Sequence, residues 1–512
     1  MAPMFHFLPN HIRRIEPTAP TWQLLLCALG ACLGRIWLEH IIYNDRGYGF
    51  YYIHYLSWLS ATIAGLILIT HFCHSLPLRA AIRWTLLLTP VLCLAPIFDW
   101  VLWPVLGKPK IGYMYEELLY AYGTYFGPLE PGRISAGMRL ELFAILLTLG
   151  VLTRAYGRSW LRTVATVWAA YSWCFLMLAL TGVAAVSAKI LGLDWDKSDY
   201  RINAFGLCHL LAPALIIGVA LARHPKETKA AITGIRLSRT LLYLGIAAIG
   251  FAATKPTYSL QSIYQTGIAA VCLLLAWAGS VITNNCQDIA ADKHQDEYRP
   301  TLDTALNQTT YQTLGIGALI LAIYLGWATN SKLGAATTAF VLAYAAYSLP
   351  PLKLKRLPVA SKFLIGLAGL AAYNIGQSTE AIGYIHFPQL IDASGYPPLC
   401  PKPVATYFMV VFSLAANVID LKDIAADRKA GIHTLANSLP PRLSKAIISL
   451  FLVAANLCAV FVFHQPALLP VALLISLFVV ALVCKPNYNE RWILWALAAS
   501  HWILAFRALN LF

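Results

Sequence analysis

An all-α, polytopic membrane protein of about 15 transmembrane helices is the fold class this sequence predicts, from its hydropathy, the length of its apolar runs and the charge of its loops. Of the 512 residues, 59% are hydrophobic and 12% charged, and the mean hydropathy is +0.63. Apolar runs of about 17 to 25 residues recur from end to end, the length a helix needs to cross a bilayer. A formal net charge of +15 would suit nucleic acid, but the basic residues sit in short loops between apolar runs. Membrane topology explains them better. The N-terminal stretch carries Arg13 and Arg14, and the first apolar run is long enough to span, so no cleavable signal peptide is expected. The 11 cysteines include no Cys-x-x-Cys pair and read as small buried apolar residues rather than disulfides or metal ligands.

Six candidate spans precede residue 225, at roughly 22–43, 50–74, 84–106, 137–154, 161–190 and 203–222. Nine follow, at roughly 237–253, 264–284, 309–328, 333–350, 361–379, 404–420, 444–463, 467–484 and 491–510. Loop charge supports this alternation. With Arg13 and Arg14 cytoplasmic, the same side receives Arg79 and Arg83, then Arg154, Arg158 and Arg162, then Arg223 to Arg239. In the second half it receives Lys293 and Arg299, Lys353 to Arg356, Lys422 to Lys445, and Lys485 with Arg491. The opposite loops carry Glu116, Glu117, Glu130, Asp194, Asp196, Asp199, Glu380 and Asp392, as the positive-inside rule requires.

The stretch 223–239 is polar and basic and contains Pro225, which makes it the expected linker between a six-helix domain, 1–222, and a nine-helix domain, 240–512. The first domain carries no family motif. Its ionisable residues at membrane depth are Glu39, His40, His54, His71, His74, Asp99, Glu141 and His209, and such groups are often functional. His71 and His74 share a helix face and with Asp99 could form a metal or proton-transfer site. Alternatively, both histidines sit at the end of their span while Asp99 pairs with His209. The loop from Tyr113 to Tyr125, with Glu116 and Glu117, suits a membrane interface.

The second domain is organised around a near-duplicate. Asp-Ile-Ala-Ala-Asp occurs at Asp288 to Asp292 and at Asp423 to Asp427, each after a long apolar run and before a basic residue, Lys293 or Arg428. In helical geometry carboxylates four residues apart share one face, and Asn284, Asn285 and Asp420 extend those faces upstream. Clustered carboxylates repel, so such a face is stable mainly with a cation bound. Hard oxygen ligands suit Mg²⁺, which completes its shell with water and substrate phosphate oxygens. Two such faces could hold a diphosphate between them. Three loops on one side carry the motifs: Asn284 to Pro300, Tyr347 to Arg356, and Asp420 to Leu435.

In the order and spacing of these motifs, about residues 235–512 resemble the UbiA superfamily of intramembrane prenyltransferases. The resemblance implies a nine-helix bundle whose two aspartate motifs follow its second and sixth helices and cap a central cavity. It further implies that Asn284, Asp288 and Asp292 form one Mg²⁺-diphosphate motif and that Asp420, Asp423 and Asp427 form the other. Arg299, Lys353, Lys355, Arg356, Lys422 and Arg428 become candidates to hold diphosphate oxygens, since charge-assisted bonds to phosphate are strong. Topological anchoring at the membrane surface is the competing role for each. Tyr347 would orient a carboxylate, flank substrate or anchor at the interface. The family's first motif usually begins Asn-Asp, and here Asn285 replaces the aspartate, leaving an amide oxygen as the ligand.

The chemistry so implied is Mg²⁺-assisted loss of diphosphate from an allylic prenyl diphosphate, and capture of the cation by a lipophilic, aromatic acceptor. The fused six-helix domain would bind that acceptor, a partner or lipid. Two alternatives stand beside it: a terpene cyclase of the same superfamily, which needs no acceptor, and a membrane scaffold whose carboxylates bind a cation without chemistry. The compact fused architecture suggests a prokaryotic inner membrane.

Overall fold

The computed structural model describes residues 19–43, 51–107, 135–180, 224–254, 260–289, 306–378, 403–429, 433–485 and 490–508, with isolated positions between them. All regular structure among them is helical. Eight of these helices are long and apolar enough to cross a membrane, and a ninth results if Pro225–Gly234 and Leu237–Ala252, bent by 66°, count as one span. The protein is an integral, multi-pass membrane protein. The expected span at 203–222, apart from isolated positions, lies outside the described residues. The chain divides into two compact units, Met1–Arg223 and His224–Phe512.

The first unit comprises α1 (Thr21–Tyr43), α2 (Tyr51–His74), α3 (Leu78–Leu88), α4 (Leu94–Leu106), α5 (Ala136–Ala155) and α6 (Trp160–Leu178). Helices α3 and α4 form one span, Leu78–Leu106, longer than the sequence predicts and interrupted by a 3-10 turn at Thr89–Cys93. Pro90 sits in that turn, where a residue without an N–H cannot continue an α-helical ladder. Ser135 and Ser159 cap α5 and α6 by accepting from Met138 N and Arg162 N, bonds that offset the unpaired amides of a helix start.

Among its described residues, several buried charges are paired with other groups. Buried Arg35 donates to Glu39 at 2.9 Å and to Glu141 at 2.5 Å, while Glu141 also accepts from Ala95 N at 3.0 Å. Asp99 accepts from Gly137 N at 2.7 Å; His209, its expected partner, lies outside the described residues. His71 Nδ1 pairs with Leu76 O and His74 Nε2 with Thr153 Oγ1, each at 2.5 Å. The two rings therefore engage different groups at the end of their span. Of the loop from Tyr113 to Tyr125, Tyr122 alone is described.

The second unit comprises α7 (Pro225–Gly234), α8 (Leu237–Ala252), α9 (Leu260–Gln287), α10 (Gln308–Thr329), α11 (Ser331–Ser348), α12 (Pro358–Gln377), α13 (Pro403–Ala415), α14 (Asp420–Lys429), α15 (Leu435–Ser438), α16 (Pro441–Val462), α17 (Leu469–Cys484) and α18 (Glu490–Ala508). Within the stretch 223–239, Pro225–Gly234 is the helix α7. Pro225 and Glu227 occupy the first turn of α7, where a preset φ and a negative charge both favour a helix start. Ala230 is buried, and Gly234 lies against Pro300 and Tyr311. A polar segment can fold in this way when one narrow side carries small apolar residues.

Helices α8 and α12 pack at backbone distance. A Cβ on Gly376 would stand 1.8 Å from Ala247 O, and one on Gly250 would stand 2.2 Å from Tyr373 O. Small residues permit such close approach, the usual basis of helix association in lipid. On α17, Leu474, Leu477 and Phe478 are exposed, as an apolar face turned toward lipid would be.

Candidate functional site

The first aspartate motif begins where α9 ends. Asp288 directly follows Gln287, the last residue of α9, and its N–H bonds Asn284 O at 3.0 Å, so the helical ladder reaches it. A loop between α11 and α12 closes on it. Lys353 has a left-handed backbone, φ 41°, a conformation that costs a non-glycine residue about 1–2 kcal/mol, and the next residues form the 3-10 turn Leu354–Arg356. The turn brings Lys355 Nζ onto Asp288 Oδ1 and within 3.4 Å of Asn284 Oδ1. Lys353 Nζ stands 4.0 Å from the same carboxylate, and Ser348 Oγ donates to Asn284 Oδ1 at 2.8 Å. Arg356 is exposed.

The second motif follows a 3-10 turn, Ala416–Ile419, that joins α13 to α14. Asp420 is buried and accepts from Lys362 Nζ of α12 at 2.6 Å. That ammonium lies 3.3 Å from Ala416 O as well. Asp420 Oδ2 is buried with no hydrogen-bond partner. Lys422 is partly buried, and Arg428 is exposed with Nη2 3.5 Å from Asn437 O. Asp423 and Asp427 lie on α14, with side chains outside the described set. Asp292 and Arg299 are outside it altogether.

Between these two ends lies a cavity with about 1080 Å³ of empty space, the open solvent at its mouth included. Asn284, Asn285, Tyr347 and Ser348 border it from one motif, Ala416 and Ile419 from the other, and Arg236 and Arg239 from the start of α8. Arg236, with φ 58°, forms the bend between α7 and α8. Tyr347 and Asp420 both lie within electrostatic reach of Arg239. Below this charged mouth the walls are aromatic. Tyr243 and Trp277 rings lie 5.1 Å apart, Trp277 and Tyr344 rings 5.4 Å apart, and the Tyr243 and Tyr344 hydroxyls pair at 2.5 Å. Trp277 Nε1 donates to Ile235 O at 2.9 Å and to Thr240 Oγ1 at 3.0 Å, which fixes the indole to the start of α8.

The donor set suits a hard cation. Asn284 Oδ1, the two described carboxylates and the unpartnered oxygens Asp420 Oδ2 and Asn285 Oδ1 are the oxygen ligands Mg²⁺ takes. Among the described residues no three His, Cys, Asp or Glu side chains gather at one point; each motif presents one described carboxylate, neutralised by a lysine.

Sequence reading missed Lys362, Arg236 and Arg239. Lys362 had a signal, a lone charge inside an otherwise apolar run, where burial without a partner is expensive. The two arginines had none, because loop charge explained them equally well.

A family model described as the UbiA prenyltransferase family matches residues 241–507. Among curated proteins, the chain is 27% identical over 188 residues to a chloroplastic homogentisate solanesyltransferase of Arabidopsis thaliana, covering 35% of this chain and 46% of that protein. Among solved structures, a UbiA homologue from Archaeoglobus fulgidus bound to GPP and Mg²⁺ is 17% identical with a TM-score of 0.43, covering 55% of this chain and 99% of that one. An apo UbiA homologue from Aeropyrum pernix K1 is 15% identical with a TM-score of 0.40, covering 54% and 98%.

Proposed function

Because this chain belongs to the UbiA prenyltransferase family, we propose that it transfers a prenyl group from an allylic prenyl diphosphate to a lipophilic aromatic acceptor. The observation that carries this reading is the pair of lysine-neutralised carboxylates, Asp288 and Asp420, at the charged mouth of an aromatic cavity. Mg²⁺ held by Asn284, Asp288 and Asp292, and by Asp420, Asp423 and Asp427, would supply Lewis-acid stabilisation of the departing diphosphate. Arg299, Lys353, Lys355, Arg356, Lys422 and Arg428 are the candidate diphosphate ligands read from the motifs. Arg236 and Arg239 join them from their place at the mouth.

In this reading the lysines serve two states. Before substrate arrives, Lys355 and Lys362 neutralise carboxylates that would otherwise repel one another. With Mg²⁺ held at those carboxylates, the two ammonium groups would be available to bond phosphate oxygens. The carbon–oxygen bond to diphosphate then breaks with both electrons leaving on oxygen, the acceptor forms the new bond to that carbon, and the acceptor's proton passes to an oxygen of the released diphosphate. Tyr243, Trp277 and Tyr344 line the cavity where the allylic cation would develop, and aromatic rings attract such a charge. The apolar walls keep water, a competing nucleophile, away from it. Loop charge supports a cytoplasmic mouth, and the prenyl chain would enter from lipid.

Diphosphate release from the purified protein in lipid, with Mg²⁺ and prenyl diphosphates of graded length, tests the proposal. Release that requires a membrane extract as acceptor source supports the transferase. Release without the extract indicates a cyclase, and no release with any donor removes the enzymatic reading.

A further inference from the structure

In the first unit two turns meet, and three arginines gather where they do. Ser75 follows the last residue of α2 with a left-handed backbone, φ 52°, and the turn 156–159 joins α5 to α6. Arg158 reaches from the second turn to the first, donating from Nε and Nη2 to His74 O at 3.0 and 2.7 Å. A cation is favoured there, because the last carbonyls of a helix lack backbone partners and form the negative end of its dipole. Arg162, in the first turn of α6, meets the next residue of the same turn, with Nη1 3.4 Å from Ser75 Oγ. Arg154, in the last turn of α5, donates to Arg158 O at 2.5 Å, and its guanidinium stands 4.6 Å from the centre of the Trp160 ring.

Every one of these partners is neutral, so the three positive charges stay uncompensated. Among the described residues none of the three arginines meets a carboxylate: in this unit Glu39 and Glu141 pair with Arg35, and Asp99 accepts from Gly137 N. Each guanidinium carries five N–H donors, of which the bonds above use one or two. Membrane topology asks only that basic residues lie on this side. It does not ask that they be fastened to one another's turns.

An apolar face runs along α6 from the same place. Trp160, Leu161, Val164 and Trp168 are exposed, and Leu161, Val164 and Trp168 keep the i, i+3, i+7 spacing of one helix face. Tryptophan beside a cationic cluster is the arrangement of a membrane interface.

The two features together select the occupant. A free inorganic anion would bond the arginines and leave the apolar face unused. A zwitterionic lipid would bring a quaternary ammonium group toward three guanidiniums. An anionic phospholipid satisfies both, since its phosphate oxygens accept charge-assisted bonds from arginine and its acyl chains suit the exposed side of α6.

We propose that Arg154, Arg158 and Arg162 form a binding site for the headgroup of an anionic phospholipid, whose acyl chains lie along the Trp160, Leu161, Val164 and Trp168 face of α6. The test is scintillation-proximity binding of tritiated dioleoyl phosphatidylglycerol to the purified full chain in detergent micelles. Competitors are unlabelled phosphatidylglycerol, phosphatidylcholine with the same chains, and inorganic phosphate.

Saturable binding is expected, displaced by phosphatidylglycerol and far less by the other two. Arg154→Gln and Arg162→Gln should each weaken it about fivefold, the worth of one basic side chain at an anionic surface, whereas Arg442→Gln should change it by less than about twofold. Arg442 is exposed in the first turn of α16 and matches the loss of charge away from the cluster. Arg158 is kept, because it fastens the two turns. Arg162→Lys, which retains the charge, should hold most of the affinity, and thermal midpoints without phosphatidylglycerol should match the wild type. Equal displacement by phosphatidylcholine overturns the assignment, as when unselected lipid or a second copy of the chain covers the face. Equal displacement by inorganic phosphate overturns the lipid as occupant. Equal weakening by Arg442→Gln and Arg162→Gln reduces the site to diffuse surface charge.

Discussion

Replacement of Lys362 by methionine bears most directly on how the second motif is held. The ammonium lies 2.6 Å from Asp420 Oδ1, and each side chain is 11% exposed. At that distance the Coulomb attraction is about 6 kcal/mol for an effective dielectric of about 20. Desolvation of the two ions, several kcal/mol each, offsets most of it, so the pair adds little net stability. Removing one partner is a different matter. Asp420 Oδ2 already lacks a hydrogen bond, and the variant would bury a carboxylate with neither oxygen paired. Breaking a buried pair in this way costs about 3–5 kcal/mol. Methionine approximates the lysine stem, so the cavity contribution is small. Lys362→Met is therefore expected to lower unfolding free energy by about that amount, measured by chemical unfolding in mixed detergent micelles. Lys362→Met combined with Asp420→Asn should recover at least half of the loss, because the stranded charge is gone. A single variant within about 1 kcal/mol of wild type, or a double variant no more stable than the single, would refute the reasoning; the bracket is the cost of an uncompensated buried charge.

Asn285 is 2% exposed with Oδ1 unpartnered. Asn285→Asp should lower the thermal midpoint in chelator and regain it with Mg²⁺, and an identical midpoint in both conditions would show that the position is not a metal ligand. Gly376→Ala would place a methyl group 1.8 Å from Ala247 O and is expected to cost about 1–3 kcal/mol through helix displacement, measured in the same unfolding assay. Asp288→Asn and Asp423→Asn should each abolish Mg²⁺-dependent diphosphate release while the protein stays folded in detergent. Full turnover in either would remove that residue from the site.

The motifs were legible because they repeat. Two copies of Asp-Ile-Ala-Ala-Asp, each closing an apolar run, mark a shared face without any knowledge of packing. Asp288, at the end of α9, still bonds Asn284 O through its N–H as a helical residue does. Arg236 and Arg239 were harder to read, since charge at a helix end serves topology and chemistry alike.

Composition and periodicity by themselves determined that the chain crosses a bilayer many times and that its acidic motifs follow apolar helices, because helix length and loop charge are local properties. The tertiary structure alone decided that Lys355 and Lys362 neutralise Asp288 and Asp420. It also decided that Tyr407 and His501, far apart in sequence, share a hydrogen bond. Pairing of this kind depends on which helix faces which, and that is set by close contacts such as Gly376 on Ala247, which no pattern within a single helix encodes.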